Sequence, residues 1–269
     1  MPQTIDSWLR EAGKELKAVG IESFVLDSEL LLAHELGCER VEIHTHPERE
    51  LDQGQTERLE KMLVQRRARI PLPYIVGYKE FYGRTFAVTR DVLIPRPETE
   101  TLVDVACGLD NIERMVDVGA GSGCIGITLK LERPEWDVII CDKSKTALRM
   151  TKRNALELHS SVSIVQSDLL TNVEGSFDLI VANLPYVDRT WEVAHETKHE
   201  PPTALFADDG GLEPTKRLLI QAKERLRRFG YVAVETDVRQ HTALIDFAKK
   251  ESFRFIRTEG LANLFCFGD

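Results

Sequence analysis

From Arg114 onward the chain alternates short apolar runs with stretches of helical period, and this alternation restricts the fold more than any single motif. The runs are MVDVG, DVIICD, SIVQSD, FDLIVA, YVAVET, FRFIRTE and NLFCFGD, with helical stretches near 123–133, 144–158, 211–228 and 238–251. Strand–helix alternation builds a parallel, doubly wound sheet, because each parallel neighbour needs a crossover connection. The last two runs follow each other without room for a crossover helix, so one of them runs antiparallel as a hairpin. The pattern predicts an α/β domain on a seven-stranded sheet, six strands parallel and one antiparallel.

The fourth run is the most informative. FDLIVA is continuously apolar after its Asp178 and stops at a polar-then-proline corner, Asn183-Leu184-Pro185-Tyr186. A continuous apolar run bounded by a breaker reads as a central parallel strand. Its corner then sits at the strand's C-terminal end, where open α/β sheets bind their ligands. Asn183 offers a carbonyl acceptor, the Leu184 backbone carbonyl offers a second, Pro185 stiffens the turn and Tyr186 supplies a flat ring. Two acceptors over an aromatic face match a planar NH2 group. A corner of this kind is also how an ordinary strand ends, so its context decides.

Three other strand ends supply that context. The first run continues as VDVGAGSGCIG, placing Gly119, Ala120, Gly121, Ser122 and Gly123 at the start of a helix, after Asp117. Such a turn lets backbone approach a ligand closely, with a helix N-terminus to favour an anionic group. By itself it is compatible with NAD, a flavin or S-adenosylmethionine. Asp142 ends the second run about 20 residues further on, where an acid can bind a ribose diol; it can equally cap the next helix. At the third end Asp168 can accept from an adenine amino group and Leu169 can pack on the ring. Four adjacent strand ends line one crevice.

The rest of the 269 residues divides by composition. Residues 1–75 read as helical: Ile5, Trp8, Leu9, Ala12, Leu16 and Val19 recur at helical spacing behind Thr4 or Asp6, Asp27 caps a second helix closed by Gly37, and Asp52 opens a third carrying Leu59, Met62 and Leu63. Arg66, Arg67 and Arg69 at its end either complement the helix dipole or form a docking patch for an acidic partner. Pro71 and Pro73 break the helix. RTFAV and VLIP, after Phe81-Tyr82-Gly83, suggest a β-hairpin linker over 76–96, and Pro97 opens the domain spanning 97–269. Net charge is −9, which opposes a broad phosphate-binding surface and hence a direct nucleic acid substrate. The five cysteines lack metal-ligand spacing, so no metal site is expected and buried free thiols are. No membrane span and no basic, apolar leader is visible, so the expectation is a cytoplasmic protein.

The glycine turn, the acid on the next strand, the Ser167-Asp168-Leu169 step and the Asn183–Tyr186 corner together resemble a class I S-adenosylmethionine-dependent amino-methyltransferase. RRARIPLPYIVGYKEFYGRTFAV, VLIPRPETE and EPPTALFADDGGL narrow this to the peptide chain release factor glutamine methyltransferase family, over nearly the whole chain. The resemblance implies a Rossmann-like sheet, a small helical N-terminal domain that recognises substrate, and S-adenosylmethionine as cofactor. It also implies a substrate: the side-chain amide of the glutamine in the GGQ loop of bacterial class I release factors, with the enzyme a monomer. On that reading Asn183, Leu184, Pro185 and Tyr186 carry catalysis, while Gly119 to Gly123, Asp142, Asp168, Leu169 and Asn183 hold the cofactor. Two residues depart from the family's usual pattern: Leu184 stands where proline is usual, and Asp237 where the segment between Glu235 and Gln240 usually has glycine. A nucleobase amino-methyltransferase and a catalytically dead binding relic are the rival readings.

Overall fold

The computed structural model describes residues 3–268. Met1, Pro2 and Asp269, the outermost residues of the predicted helical region and of the NLFCFGD strand, lie outside the described residues. Backbone proximity divides the chain into two units, Met1–Gly77 with Ala194–His199, and Tyr78–Val193 with Glu200–Asp269.

The first unit is helical. α1 (Ile5–Ala18) starts at Thr4, whose side chain accepts from Ser7 N–H while Ser7 Oγ accepts from Thr4 N–H, a reciprocal cap. Ile5, Trp8, Ala12 and Leu16 face inward at helical spacing, whereas Val19 is exposed beyond the helix end. α2 (Phe24–Leu36) ends on left-handed Gly37, and α3 (Gln53–Arg67) opens on an Asp52–Gln55 reciprocal cap. Leu31, Leu32, Leu59 and Leu63 complete the core with Trp8 and Leu16. Each such fully buried side chain contributes roughly 1.5–3 kcal/mol.

Three expectations for this unit are corrected. Asp27 is no cap: α2 begins three residues earlier, and Asp27 lies buried in its first turn, accepting from Arg66 Nε at 2.7 Å. The three arginines, read either as complementing the helix dipole or as a docking patch, are each already paired within this unit, and Arg66 is not at the surface. Arg66 is only 5% exposed and also reaches Glu196; Arg67 pairs with Glu15, and Arg69 bonds Glu196 and the Val19 and Gly20 carbonyls. A buried guanidinium must be paired, and these partners lie far off in sequence. Finally, Pro73 breaks no helix: Pro71 precedes α4 (Leu72–Val76) and Pro73 fits its first turn.

The second unit opens with an antiparallel hairpin, β1 (Tyr78–Phe81) and β2 (Arg84–Ala87). Tyr82 and Gly83 both have positive φ, 51° and 67°, forming the primed turn whose twist matches paired strands. The paired segments are therefore YKEF and RTFA, not RTFAV and VLIP. VLIP forms no ladder: Ile94 N–H donates to Glu200 Oε2 at 3.1 Å, and Pro95 has no N–H to give. A 3-10 turn, Pro97–Thr99, then leads into α5 (Glu100–Cys107).

The sheet follows in chain order: β3 (Arg114–Val118), α6 (Cys124–Glu132), β4 (Asp137–Asp142), α7 (Lys145–Glu157), β5 (Ser163–Gln166) and β6 (Phe177–Ala182). The two-residue strands β7 (Val187–Asp188) and β8 (Phe206–Ala207) pair separately, around α8 (Pro202–Leu205). α9 (Glu213–Ala222), β9 (Leu226–Glu235), α10 (His241–Lys250), β10 (Phe253–Glu259) and β11 (Ala262–Phe267) complete the unit. The strand order is β10-β11-β9-β6-β3-β4-β5, with β11 antiparallel to both its neighbours and the other six strands running one way. This is the predicted α/β fold. The chain winds outward from β3 through β4 to β5, then returns to β6 on the other side of β3. That reversal makes β3/β6 the switch point at which doubly wound sheets leave a crevice. All six β6 residues are buried. Asp178 within it is held by Arg227 and by the N–H groups of Glu113 and Arg114, so its polarity is satisfied at the far end from the crevice.

One boundary is corrected. The helix expected to reach 228 stops at Ala222, and β9 begins at Leu226, opposite Phe177. A register shift and the left-handed Phe229 (φ 65°) bend the strand there, which disguises LRRFG as helix in the sequence.

Candidate active site

Pairing register sets the site. Val118 pairs with Cys141 on one side and Ala182 on the other, and Ala182 pairs with Val234. The next residue of each strand or turn, Gly119, Asp142, Asn183 and Glu235, therefore emerges along one edge. A single cavity is lined by Gly119 to Ser122, Asp142, Asp168, Leu169 and Asn183 to Pro185. Gly123, heading α6, and Tyr186 are set back from it. The sequence did not mark Val92, Leu93, Pro95, Arg96, Thr99, Thr203 or Ala204 as lining, yet they line the same cavity, as does Pro201.

The turn after β3 is tied to the β4 end. Gly119 and Ala120 N–H both donate to the Cys141 carbonyl, and Gly121 N–H donates to Asp142 Oδ2 at 3.0 Å. Asp142 Oδ1 accepts from Ser144 N–H at 2.8 Å. Asp142 is not the cap of α7; Ser144 takes that place, accepting from Ala147 N–H. A carboxylate has about four acceptor positions, so each Asp142 oxygen keeps capacity for a hydroxyl. A side chain at Gly121 would project into open space, so the bare backbone is exposed to a ligand. Asp117, wholly buried beneath, accepts from Gly126 N–H through Oδ2 while Oδ1 has no partner. Burial pushes its pKa up to about 7.

Beyond β5, Leu169 sits at φ 51°, a left-handed conformation that costs a branched residue roughly 1–3 kcal/mol and that turns its buried side chain into the cavity wall. Asp168 beside it is exposed and paired with Arg217 at 2.7 Å. That partner lies 49 residues away, and the sequence reading did not anticipate it.

The corner is braced on three sides. Asn183 Nδ2 donates to Thr99 Oγ1 at 3.0 Å, which leaves Oδ1 as the acceptor it can offer. Tyr186 OH donates to Glu235 Oε1 at 3.1 Å, and the Tyr186 carbonyl accepts from Gln240 Nε2 at 2.7 Å. Glu235 and Gln240 thus pin one tyrosine at both ends. Burial, then the neighbouring Glu235, raises the Tyr186 pKa, so the phenol stays protonated. Glu235 is 1% exposed; burial raises its pKa, opposed by Thr99, Tyr186 and Asn183. Its Oε2 has no partner at hydrogen-bond distance.

Two family models match the chain: the PrmC N-terminal domain over residues 7–77 and the methyltransferase small domain over 94–213. A release factor glutamine methyltransferase from Koribacter versatilis is 40% identical over 243 residues, which cover 87% of this chain and 85% of that protein. The chain belongs to the release factor glutamine methyltransferase family. A relative of the same name from Shewanella oneidensis is 36% identical over 233 residues, covering 84% and 82% of the two chains. A solved methyltransferase from Pyrococcus furiosus superposes with a TM-score of 0.56 at 18% identity, over 76% of this chain and 99% of that one, a likeness of fold alone.

Within this family the two departures acquire a structural account. The Leu184 side chain fills the space a side chain at Gly119 would need, its Cδ2 only 2.6 Å from that position. The bare glycine and the leucine therefore fit as a pair. Asp237 has φ −65°, a conformation that needs no glycine, and it caps the turn Val238–Gln240 by accepting from Arg239 N–H while Gln240 Oε1 accepts from Asp237 N–H.

Proposed function

We propose that the protein methylates the side-chain amide nitrogen of the glutamine in the GGQ loop of bacterial class I release factors, in the cytoplasm and as a monomer. In this proposal residues 1–75 recognise the release factor, 76–96 form the hairpin linker and 97–269 carry the chemistry. The observation that supports it is the polarity of Asn183: with Nδ2 spent on Thr99, Oδ1 and the adjacent Leu184 carbonyl are two acceptors for one NH2 group. Family membership and a net charge of −9 favour a protein amide over a nucleobase amine.

The open backbone at Gly121, the spare acceptor positions of Asp142 and the apolar Leu169 suit S-adenosylmethionine, with Asp142 on the ribose and Asp168 and Leu169 at the adenine. When bound, that cofactor supplies an electrophilic methyl group on a positively charged sulfur. An amide nitrogen is a poor nucleophile because its lone pair is shared with the carbonyl. Asn183 and Leu184 hold its two hydrogens and so aim the nitrogen, which contributes on the order of 7–11 kcal/mol when the reacting atoms are well aligned. The same fixed acceptors stabilise positive charge growing on the nitrogen. No base is required before transfer.

Incubating the enzyme with methyl-labelled S-adenosylmethionine and a purified release factor should place one methyl group on the GGQ glutamine side chain, located by peptide mass spectrometry. Label on RNA, or on another residue of the factor, would replace this reading. Asp142→Ala should weaken S-adenosylmethionine at least about tenfold in calorimetry, since hydrogen bonds to a charged group contribute ~1.5–3 kcal/mol each and Gly121 N–H also loses its acceptor. An unchanged dissociation constant would put the ribose elsewhere.

A further inference from the structure

We infer that Asn154 on α7 is a positioning residue that joins the β1–β2 hairpin to the cofactor turn, so that the two open and close together. The inference rests on the placement of the cofactor at Gly119 to Gly123 proposed above. α7 buries Ala147, Met150, Thr151, Asn154 and Ala155, a stripe at helical spacing. Two members of that stripe, Thr151 and Asn154, are polar and wholly buried. Three positions apart, they share one face of the helix. A buried polar side chain needs partners, and both of these take theirs from backbone outside the helix.

Asn154 uses its oxygen and both amide hydrogens. Oδ1 accepts from Ala87 N–H at 2.8 Å, while Nδ2 donates to the Ala87 carbonyl at 3.0 Å and to the Ser122 carbonyl at 2.8 Å. The amide thus pairs with the last residue of β2 much as a neighbouring strand would, and its remaining hydrogen reaches the cofactor turn. The partners fix its orientation. Turned over, its nitrogen would face the Ala87 N–H and its oxygen would face two carbonyls. Thr151 completes the hold, with Oγ1 donating to the Gly121 carbonyl at 3.0 Å. Two successive carbonyls of the turn are therefore bound to α7. Space there is as tight as the bonding: a side-chain carbon at Gly123 would lie 2.8 Å from Thr151 Cγ2.

These bonds bear on the ligand side of the turn. Cys141 and Asp142 hold its N–H groups from the β4 end, and α7 holds its carbonyls. Because a trans peptide is planar, fixing the Gly121 carbonyl on Thr151 points the Ser122 N–H away from Thr151. Ser122 lines the cavity, whereas none of residues 78–87 does. Asn154 therefore gives the hairpin a bonded route to a site that the hairpin itself does not touch. An opening that frees Ala87 from Asn154 also loosens the Ser122 carbonyl, and a cofactor that holds the turn closed opposes both.

The test uses Asn154→Leu, close to asparagine in size, with Thr151→Val and Thr151→Ser, in the full-length protein. Calorimetry with S-adenosylmethionine should show binding about tenfold weaker in Asn154→Leu and in Thr151→Val, the weight of one buried carbonyl left without its donor. Thr151→Ser keeps the hydroxyl and should bind within about threefold of wild type. Amide hydrogen exchange adds a readout that lost stability alone would not move. In wild type, S-adenosylmethionine at about 100 times its dissociation constant should slow exchange of the Ala87 N–H by up to about 100-fold, because the opening that exposes it also releases the cofactor. In Asn154→Leu the hairpin amides should no longer respond, while the Gly123 N–H, bonded to Ala120 within the turn, still should. If Asn154→Leu does not fold, Asn154→Ala takes its place with the same expected results. An Ala87 N–H indifferent to cofactor in wild type would overturn the inference, as would wild-type affinity or a surviving hairpin response in the Asn154 variant. If Asp142→Ala weakens binding and the Asn154 variant does not, this inference alone falls. If Asp142→Ala leaves binding unchanged, the cofactor placement proposed above falls and takes this inference with it.

Discussion

Replacing Asn183 by alanine should lower turnover about 100-fold or more while S-adenosylmethionine still binds. Deleting one preorganised polar contact at a developing charge costs in that range. The loss should appear in kcat rather than in cofactor affinity, because most of the cavity lining lies outside the corner. Asn183→Asp separates orientation from proton removal. Beside the buried Glu235, a second carboxyl makes a like-charge pair, and such pairs retain one shared proton. Protonated, the new aspartic acid donates inward as the NH2 group did and offers its carbonyl outward. Residual activity should therefore fall as pH rises. If a base were the missing element, activity would climb with pH instead, and orientation would be the wrong account of Asn183.

What the sequence made legible was whatever depends on neighbours in the chain. FDLIVA announced a doubly buried strand because all six side chains are covered, and the glycine turn and corner followed directly from strand ends. The absent crossover before NLFCFGD fixed the antiparallel strand. What stayed hidden rests on contacts between distant residues. Thr99 reads as an unremarkable residue in a proline-led turn, yet it meets Asn183 across 84 positions. Arg66 finds Asp27 across 39, so one member of a basic cluster that looked superficial is internal. Asp168 was legible as an acid at a strand end, but not its pairing with Arg217. VLIP has strand composition but pairs with no strand, since Val92 N–H donates to the Thr89 carbonyl and Ile94 N–H to Glu200. Composition reports what a segment could pair with, and topology decides whether a partner arrives.

Gln240 shows how much of the corner's stiffness comes from outside it. Both hydrogens of its side-chain amide are used, one on the Tyr186 carbonyl and one on the Gly210 carbonyl at 2.6 Å. Together with Tyr186 OH on Glu235, this fixes the backbone that follows Asn183, Leu184 and Pro185. Leu184 keeps a flexible φ where proline would be rigid, so an external clamp carries more of the geometry here.

Gly211→Ala tests that clamp, with Gly210→Ala as its control. Both glycines have positive φ, 84° and 63°, so a methyl group at either carries a left-handed penalty of about 1–2 kcal/mol. They differ in surroundings. A side-chain carbon at 210 meets nothing within 4 Å, whereas one at 211 would lie 2.0 Å from the Tyr186 carbonyl oxygen and 2.3 Å from Gln240 Nε2. Contacts below 3.0 Å are not sustained, so the Tyr186 backbone must retreat by about 1 Å and the Gln240 bond must break. A misplacement of that size at a reacting centre costs ~100-fold. Gly210→Ala should lower the melting temperature and leave turnover within a few-fold, and Gly211→Ala should lose about 100-fold in turnover on top of a similar or larger thermal loss. The difference between the two variants removes the shared backbone strain and leaves the push on Tyr186. Equal turnover in the pair would mean that the corner holds its shape without Gln240, and its rigidity would have to come from Pro185 and the Asn183–Thr99 and Tyr186–Glu235 bonds.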